Sequence, residues 1–522
     1  MAQTFFITTA IDYTNAAPHI GHAYEKILAD SIARYHRLKG EPVYFLTGVD
    51  QHGQKVQQTA QKQGLAPDAF AREVTTKFVA LWEKLGIRYD GWAATTDPLH
   101  QGVVQRILQR LHDAGDIYKA AYSGFYSVRQ EQFLTDKERG EDGNFGPEWG
   151  EVVEITEENY YFRLSKYSDW LNAFLQAHPN HVTPAFRQAE LRNAAAKITG
   201  DLCISRPKSR LAWGIELPFD ADYVTYVWFD ALINYISFAG YWNDPACDRP
   251  AEFNERWPAL HVIGKDILVP AHGIYWPAML HAAGFGDDEI PPLLVHGYIN
   301  IAGAKMSKSL GNIINPDALA DKYGAEALRY YLMRETVTGQ DMDFAEERLA
   351  MRYNTDLAGN LGNLLNRTLN MAHRYRAGVL KRPAATAEST TAWAAASRET
   401  IATYTQRFDQ FQTHAALEAV FDLATRCNGA IETEAPWKLA KDPAQAERLD
   451  EVLYNLAEAL RIISILIAPV LPQASCAIAG QLNASAAAAL SLTSWGGLSD
   501  GHQLGQPSPV FPRIEAEKAA NE

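Results

Sequence analysis

Apolar positions along this chain change their spacing several times, and each change predicts a different element. Thr4–Ala10 is a short continuous apolar run, as in a strand buried on both faces. An Asn/Pro loop follows, then helical spacing from about His22 to Lys39 with Ile27, Leu28, Ile32, Tyr35 and Leu38 on one stripe. Val43–Leu46 is a second apolar run. Strands separated in this way by a helix predict a parallel sheet with helices on its faces. The pattern resumes at Leu260–Ile263 and Leu293–Val295, which end in Gly264-Lys265-Asp266 and His296-Gly297, much as the earlier run ends at Thr47-Gly48-Val49-Asp50. Ligands of open α/β sheets bind beyond the carboxyl ends of strands, so these tips predict one shared pocket. Any one tip alone reads equally as a solvated turn.

Between the two halves, roughly Gly115 to Asp222, the chain is polar and rich in Tyr and Glu, with turn signals at Gly140–Gly143 and Gly146-Pro147. This predicts an inserted domain. From about Glu346 to Leu471 the spacing is helical and rich in Ala and Leu, as in Leu357, Leu361, Leu364, Leu365 and Leu369, which predicts a helical domain. Ala384–Ala396 reads as a solvated connection between helices, Ile462–Leu471 as a buried helix end, and the residues after Glu515 as disordered.

Composition narrows the field. A chain of 522 residues suggests two to four domains. Its 47% apolar and 21% charged residues are ordinary for a globular protein, and no apolar run approaches the ~18 residues of a membrane span. The four cysteines, Cys203, Cys247, Cys427 and Cys476, form no C-x-x-C pair, which fits a reduced, cytoplasmic setting. No basic, apolar leader precedes the first strand, so no targeting segment is expected. The formal charge of −14 weighs mildly against nucleic acid, although a local basic face can sit on an acidic protein.

Two short strings carry most of the chemistry. Pro18-His19-Ile20-Gly21-His22 places two imidazoles at the start of a helix, where unpaired backbone N–H groups and the helix dipole favour anions. Lys305-Met306-Ser307-Lys308-Ser309, bounded by Gly303 and Gly311, puts two lysines and two hydroxyls on one loop, a donor set suited to polyphosphate. Alone, the first string could be a capping and packing pair and the second a solvated basic turn. Found together, in this order and on either side of an insert, they describe a site that grips ATP from two directions.

These strings resemble the two signatures of class I aminoacyl-tRNA synthetases, and nearly the whole chain resembles the methionine-specific family. Thr47-Gly48-Val49-Asp50-Gln51-His52-Gly53, Tyr226-Val227-Trp228-Phe229-Asp230-Ala231, Tyr275-Trp276-Pro277-Ala278, Asn363-Leu364-Leu365-Asn366-Arg367 and Ala435-Pro436-Trp437 add to the likeness. It implies an α/β fold: a Rossmann-like parallel-sheet catalytic domain split by an inserted connective domain, then an α-helical bundle that binds the anticodon. The implied division is 1–115 and 223–295 for the catalytic halves, 116–222 for the insert, 296–350 for the lysine loop and stem-contact region, 351–490 for the helical domain and 491–522 for the tail.

The same resemblance implies the site. Methionine would meet Ala10, Ile11, Tyr13, Trp228, Ala231, Tyr235, His272 and Trp276, with Asp50 pairing its ammonium. Aromatic walls suit a thioether. ATP would meet His19, Gly21, His22, Glu25, Gly264, Asp266, His296 and Lys308, with His19, His22, Lys305 and Lys308 serving catalysis and magnesium sharing the charge. The methionine carboxylate would attack the α-phosphorus without any protein nucleophile, so alignment and placed cations would do the catalysis. The terminal adenosine of tRNA would then take the methionyl group. Asn363 and Arg367, four apart on a helix, and Trp437 as a stacking platform would read the anticodon.

The chain departs from the family in three places. Gly264–His272 is one residue longer than the family's pattern. Ser127 and Gln130 stand where many members carry zinc-binding cysteines, so no structural zinc is expected. The chain stops soon after Phe511-Pro512-Arg513-Ile514-Glu515 without the β-barrel module through which some relatives dimerise, and a monomer is expected. Rival readings are another class I synthetase, a small nucleotidyltransferase with a similar histidine motif, or a non-catalytic tRNA-binding homologue. Intact His19, His22 and Lys308 weigh against the last of these.

Overall fold

The computed structural model describes residues 3–514 apart from 128–131, 135–138, 141, 243–246, 302, 306–313, 386 and 486–487. Its centre is an all-parallel sheet. Strand Phe5–Thr9 lies between Val43–Asp50 on one side and Leu260–Gly264 on the other. Gly91–Ala94 flanks the first neighbour, and Leu293–His296 with Val182–Thr183 extends the other edge. Strand order therefore reverses between Phe5–Thr9 and Leu260–Gly264, and such a switch point opens a crevice at the carboxyl ends of the strands. The edge strand Val182–Thr183 comes from within the 116–222 segment, so part of that stretch belongs to the parallel sheet.

Helix Ile20–Leu38 lies on this sheet. Its apolar stripe packs as the spacing predicts, yet Glu25, Lys26, Asp30 and Ser31 are buried too: Lys26 bonds to Ala10, Asp12 and Glu25, Glu25 also faces His296, and Asp30 meets Arg329 of helix Ala325–Glu335, which packs on this helix. The insert is built on a long antiparallel pair, Ile117–Ser127 with Val152–Phe162, with Gln132–Leu134 and Leu202–Cys203 at the edges.

The C-terminal region is a bundle that includes helices Asn363–Arg376, Glu388–Asp409, Thr413–Glu434, Ala446–Ile467 and Pro472–Gln481. Every residue from Val452 to Ile467 is buried, as expected of a helix apolar nearly all round. One expectation is corrected: Ala384–Ala396 is not a solvated connection throughout. Helix begins at Glu388, and Thr390 and Ala396 are buried against the bundle. Small side chains let the helices approach closely, so a weakly apolar stretch becomes part of the packing. The expectation of disorder after Glu515 falls outside the described residues.

The bundle is stapled to the catalytic region by Arg329, which is 1% exposed. Its guanidinium donates to Asp30 Oδ2 at 2.7 Å and to the carbonyls of Val470 at 2.8 Å, Pro469 at 3.0 Å and Leu85 at 3.3 Å.

Candidate active site

A cavity of about 490 Å³ opens at the switch point. One wall is the N-terminus of helix Ile20–Leu38. His19 is its N-cap: the Gly21 N–H donates to His19 Nδ1 at 3.1 Å, and the His19 N–H donates to His22 Nδ1 at 3.0 Å. This reciprocal pairing is a capping box made of histidines, with the two rings stacked at 3.8 Å. Capping and phosphate binding are compatible readings of the motif. With Nδ1 accepting, each neutral ring carries its proton on Nε2, so each remains a donor there. Burial first, then the positive charges of His19 and Lys26, hold the His22 pKa well below its ordinary value.

On the same side, Glu25, Gly264, Asp266 and His296 border the cavity with His19, Gly21 and His22. His296 Nε2 faces Glu25 Oε2 at 3.1 Å. At Gly264 a Cβ would stand 2.7 Å from Asp266 Oδ1, so any larger residue would push that carboxylate from its place over the strand end.

The opposite side is aromatic. Ala10, Ile11, Tyr13, Asp50, Trp228, Ala231, Tyr235 and His272 all line the cavity. The Tyr235 hydroxyl donates to His272 Nε2 at 2.8 Å, and His272 Nδ1 donates to the Ile267 carbonyl at 3.0 Å. Burial pushes the His272 pKa down to about 4, so the ring is neutral and the pair presents a polar but uncharged surface. Leu268–Tyr275 is wound as a π-helix, broken at Val269. Within this segment His272 reaches the cavity. Trp276 does not line the cavity. It is 1% exposed behind Tyr235, and its indole donates to His261 Nε2 at 3.1 Å.

The lysine loop is only partly described. The backbone of Ala304–Lys305 pairs with Ile299–Ile301, whereas Lys308 lies outside the described residues. Asn363 and Arg367 share helix Asn363–Arg376, far along the chain from the cavity. Asn363 is exposed, Arg367 is paired with Glu432 at 2.7 Å, and Trp437 is half-buried against the bundle core. Ser127 is buried, with its hydroxyl donating to the Trp149 carbonyl at 2.5 Å; Gln130 lies outside the described residues. Among the described residues no three His, Cys, Asp or Glu side chains cluster as metal ligands would.

Several cavity residues were given no site role by the sequence, including Asp12, Tyr226 and Tyr298, which lie within or beside the motif strings, and Lys55. Asp230, within a string already singled out, accepts from His52 Nδ1 at 2.7 Å and His100 Nε2 at 2.8 Å while buried, so it ties the Asp50–His52 turn to the Trp228–Ala231 helix. Burial opposes its ionisation, but the two imidazoles outweigh burial and hold its pKa below the usual carboxylate value. Charged residues inside a predicted apolar helix, such as Lys26, were the available signal for this kind of network.

Residues 5–142 and 149–369 match the family described as tRNA synthetases class I (M), and residues 382–521 match the anticodon binding domain of methionyl tRNA ligase. The methionine–tRNA ligase of Deinococcus radiodurans is 42% identical over 98% of this chain and 75% of its own length. That of Thermosynechococcus vestitus is 40% identical over 98% of each chain. The Mycobacterium tuberculosis methionyl-tRNA synthetase in complex with methionyl-adenylate superposes with a TM-score of 0.91 at 38% identity, covering 98% of this chain and 100% of that one. A parallel sheet with a histidine-capped helix at its switch point and these matches define a class I synthetase. Within that class the chain belongs to the methionyl-tRNA synthetases.

Proposed function

We infer that the cavity is the activation site of a methionine–tRNA ligase, where L-methionine and ATP become methionyl-adenylate and pyrophosphate before methionine passes to the 3′ adenosine of tRNA. The observation that carries this reading is the two-sidedness of the cavity, with helix-terminal imidazole donors on one side and an aromatic pocket bordered by the carboxylates Asp12 and Asp50 on the other.

In this reading a carboxylate oxygen of methionine attacks the α-phosphorus, the acyl–oxygen–phosphorus link forms, and the bond to pyrophosphate breaks. The Nε2–H groups of His19 and His22 donate to the phosphates, helped by the Gly21 backbone and the helix dipole. Glu25, Gly264, Asp266 and His296 hold the nucleoside. Asp50 pairs the substrate ammonium; Ala10, Ile11, Tyr13, Trp228, Ala231, Tyr235 and His272 enclose the side chain. Trp276 supports Tyr235 from behind. Lys305 and Lys308 bring cations to the phosphates as charge builds up, and magnesium enters on the phosphates of ATP as part of the substrate. Asn363, Arg367 and Trp437 read the anticodon of tRNA, the protein works as a monomer in the cytoplasm, and it needs no structural zinc.

Methionine-dependent ATP–pyrophosphate exchange, run against a panel of amino acids, tests the reading. Exchange driven by methionine above all other amino acids is expected; exchange driven best by another amino acid, or absent altogether, would overturn it. Among the described residues no helix is long and apolar enough to cross a membrane.

A further inference from the structure

Beneath the seam between the two sides of the cavity lies Lys26, with 0% of its surface exposed. It sits on helix Ile20–Leu38 one turn after His22, and its ammonium donates to the Ala10 carbonyl at 2.9 Å, Asp12 Oδ1 at 2.8 Å and Glu25 Oε1 at 2.9 Å. An ammonium has three N–H groups, and here three acceptors use all of them. Ala10 belongs to the amino-acid wall, and Glu25 reaches His296 on the nucleotide wall through its other oxygen. Lys26 does not line the cavity, whereas each of its three partners does.

Stability alone does not call for such an arrangement. Desolvating an ammonium and two carboxylates costs several kcal/mol per ion before their attraction offsets it, and well-packed apolar side chains often serve a core as well or better. What only the ammonium supplies is three bonds of fixed direction between parts of the wall that belong to different elements. The second oxygen of Asp12, Oδ2, is buried with no hydrogen-bond partner, so this carboxylate is held in place by Lys26 alone. Burial, working against the attraction of Lys26, raises the Asp12 pKa to about 7, which shows how closely the cluster is balanced.

We propose that Lys26 is a positioning residue for amino-acid activation: its three-way junction of Ala10, Asp12 and Glu25 sets the amino-acid wall of the cavity against the nucleotide wall. The proposal rests on the reading of the cavity as the activation site. An in-line attack on phosphorus is sensitive to the relative placement of its two reactants, and a misplacement of 1 Å can slow a reaction by about 100-fold.

The experiment compares Lys26→Met with the double variant Asp12→Asn/Lys26→Met, which also removes the carboxylate left without a cation. Each is assayed well below its own melting midpoint, on protein whose fold is verified by circular dichroism. Lys26→Met is expected to lower the melting midpoint and to reduce kcat for methionine-dependent exchange by about 30-fold or more, with KM for ATP and methionine changed much less. The double variant is expected to recover much of the midpoint but little of kcat. Recovery of kcat in step with stability, or a kcat within about 3-fold of wild type in either folded variant, would make Lys26 a structural group only and overturn the proposal. Absence of exchange in the wild type would instead overturn the reading beneath it, so the two failures are distinguishable.

Discussion

Both the catalytic region and the helical bundle bury carboxylates, and they use them differently. In the bundle, Glu458 is 0% exposed and fully satisfied: Arg461 donates to it at 2.6 and 3.1 Å, and the backbone N–H groups of Gly496, Gly497 and Leu498 donate at 2.7, 2.7 and 3.1 Å. No oxygen is left over, and the effect is to pin an irregular segment to helix Ala446–Ile467. In the catalytic region, Asp230 spends its two oxygens on His52 and His100, and Asp12 keeps one oxygen without a partner at the cavity wall. A buried charge closes the chain on itself in one region and arranges groups around an opening in the other. A carboxylate's desolvation cost is the same kind of cost in both places, so the direction of its partners decides what it does.

The largest expected effect tests this contrast directly. Glu458→Ala leaves Arg461 buried without its anion and frees three backbone N–H groups, which should cost about 3–5 kcal/mol of stability. Exchange activity per folded molecule should stay at the wild-type level. Asp230→Asn should also destabilise, but its loss should extend to function: a methionine KM raised by about 10-fold, with the KM for ATP nearly unchanged, because Asp230 connects the Asp50 turn to the Trp228 helix. Chemical denaturation and steady-state exchange on the two proteins check both statements. If Glu458→Ala shifts the methionine KM as far as Asp230→Asn does, the two regions do not differ as argued.

Next comes the loop that the contrast leaves open. Lys308→Ala should slow adenylate formation by at least about 100-fold while methionine binding stays nearly intact, as for a contact made mainly in the transition state. Rapid-quench measurement of adenylate formation decides it, and a near wild-type rate would sink the assignment. Such a result would shift the catalytic weight to the groups at the helix N-terminus, His19 and His22.

Much of this architecture was legible in the sequence because periodicity reports burial directly. The runs at 5–9, 43–50, 260–264 and 293–296 are strands, and their tips do converge on one cavity. Motif strings located His19, His22 and Asp50 for the same reason, since each lies at a strand end or helix start that the pattern already marks, whereas Trp228 and Tyr235 sit in short helices that no periodicity marked and came only from the family resemblance. Side-chain networks were not legible. Nothing in the spacing of Lys26 tells that its ammonium is taken by the Ala10 carbonyl and the Asp12 carboxylate, which lie 16 and 14 residues earlier in the chain and outside its helix. Asp230 was quoted within a string but its partners, His52 and His100, are 178 and 130 residues distant. The Ala/Thr stretch before Ala396 misled because small side chains bury little apolar area yet permit close helix packing.

A smaller effect is expected at the outward-facing chemistry of the bundle. Trp437→Ala should weaken tRNA aminoacylation by about 1–3 kcal/mol, one lost base stack, while pyrophosphate exchange without tRNA is unchanged. Trp437 is half-buried, so some loss of thermal stability accompanies the change. Arg367 must release Glu432 to meet a base, but that surface pair is worth only about 0–1 kcal/mol, a small barrier to recognition. Unimpaired charging, or an equal loss of both activities together with a large fall in melting midpoint, would tell against anticodon recognition at Trp437 and leave the bundle with packing as its whole role.

The smallest expected effect is none at all, and it concerns the insert. Where a zinc knuckle organises a small domain, chelation unfolds it, because metal binding supplies the folding free energy. The family resemblance sets Ser127 at the position of one thiolate; its buried hydroxyl donates to the Trp149 carbonyl, and the strands Ile117–Ser127 and Val152–Phe162 form a long hydrogen-bonded ladder. A neutral serine is a poor zinc ligand, and Gln130 offers only an amide oxygen. Overnight treatment with EDTA should therefore leave the melting midpoint and exchange activity unchanged, and elemental analysis should return well under one zinc per chain. A stoichiometric zinc, or a chelator-induced fall in the midpoint, would mean that the insert is held by metal after all and that its ladder is not self-sufficient.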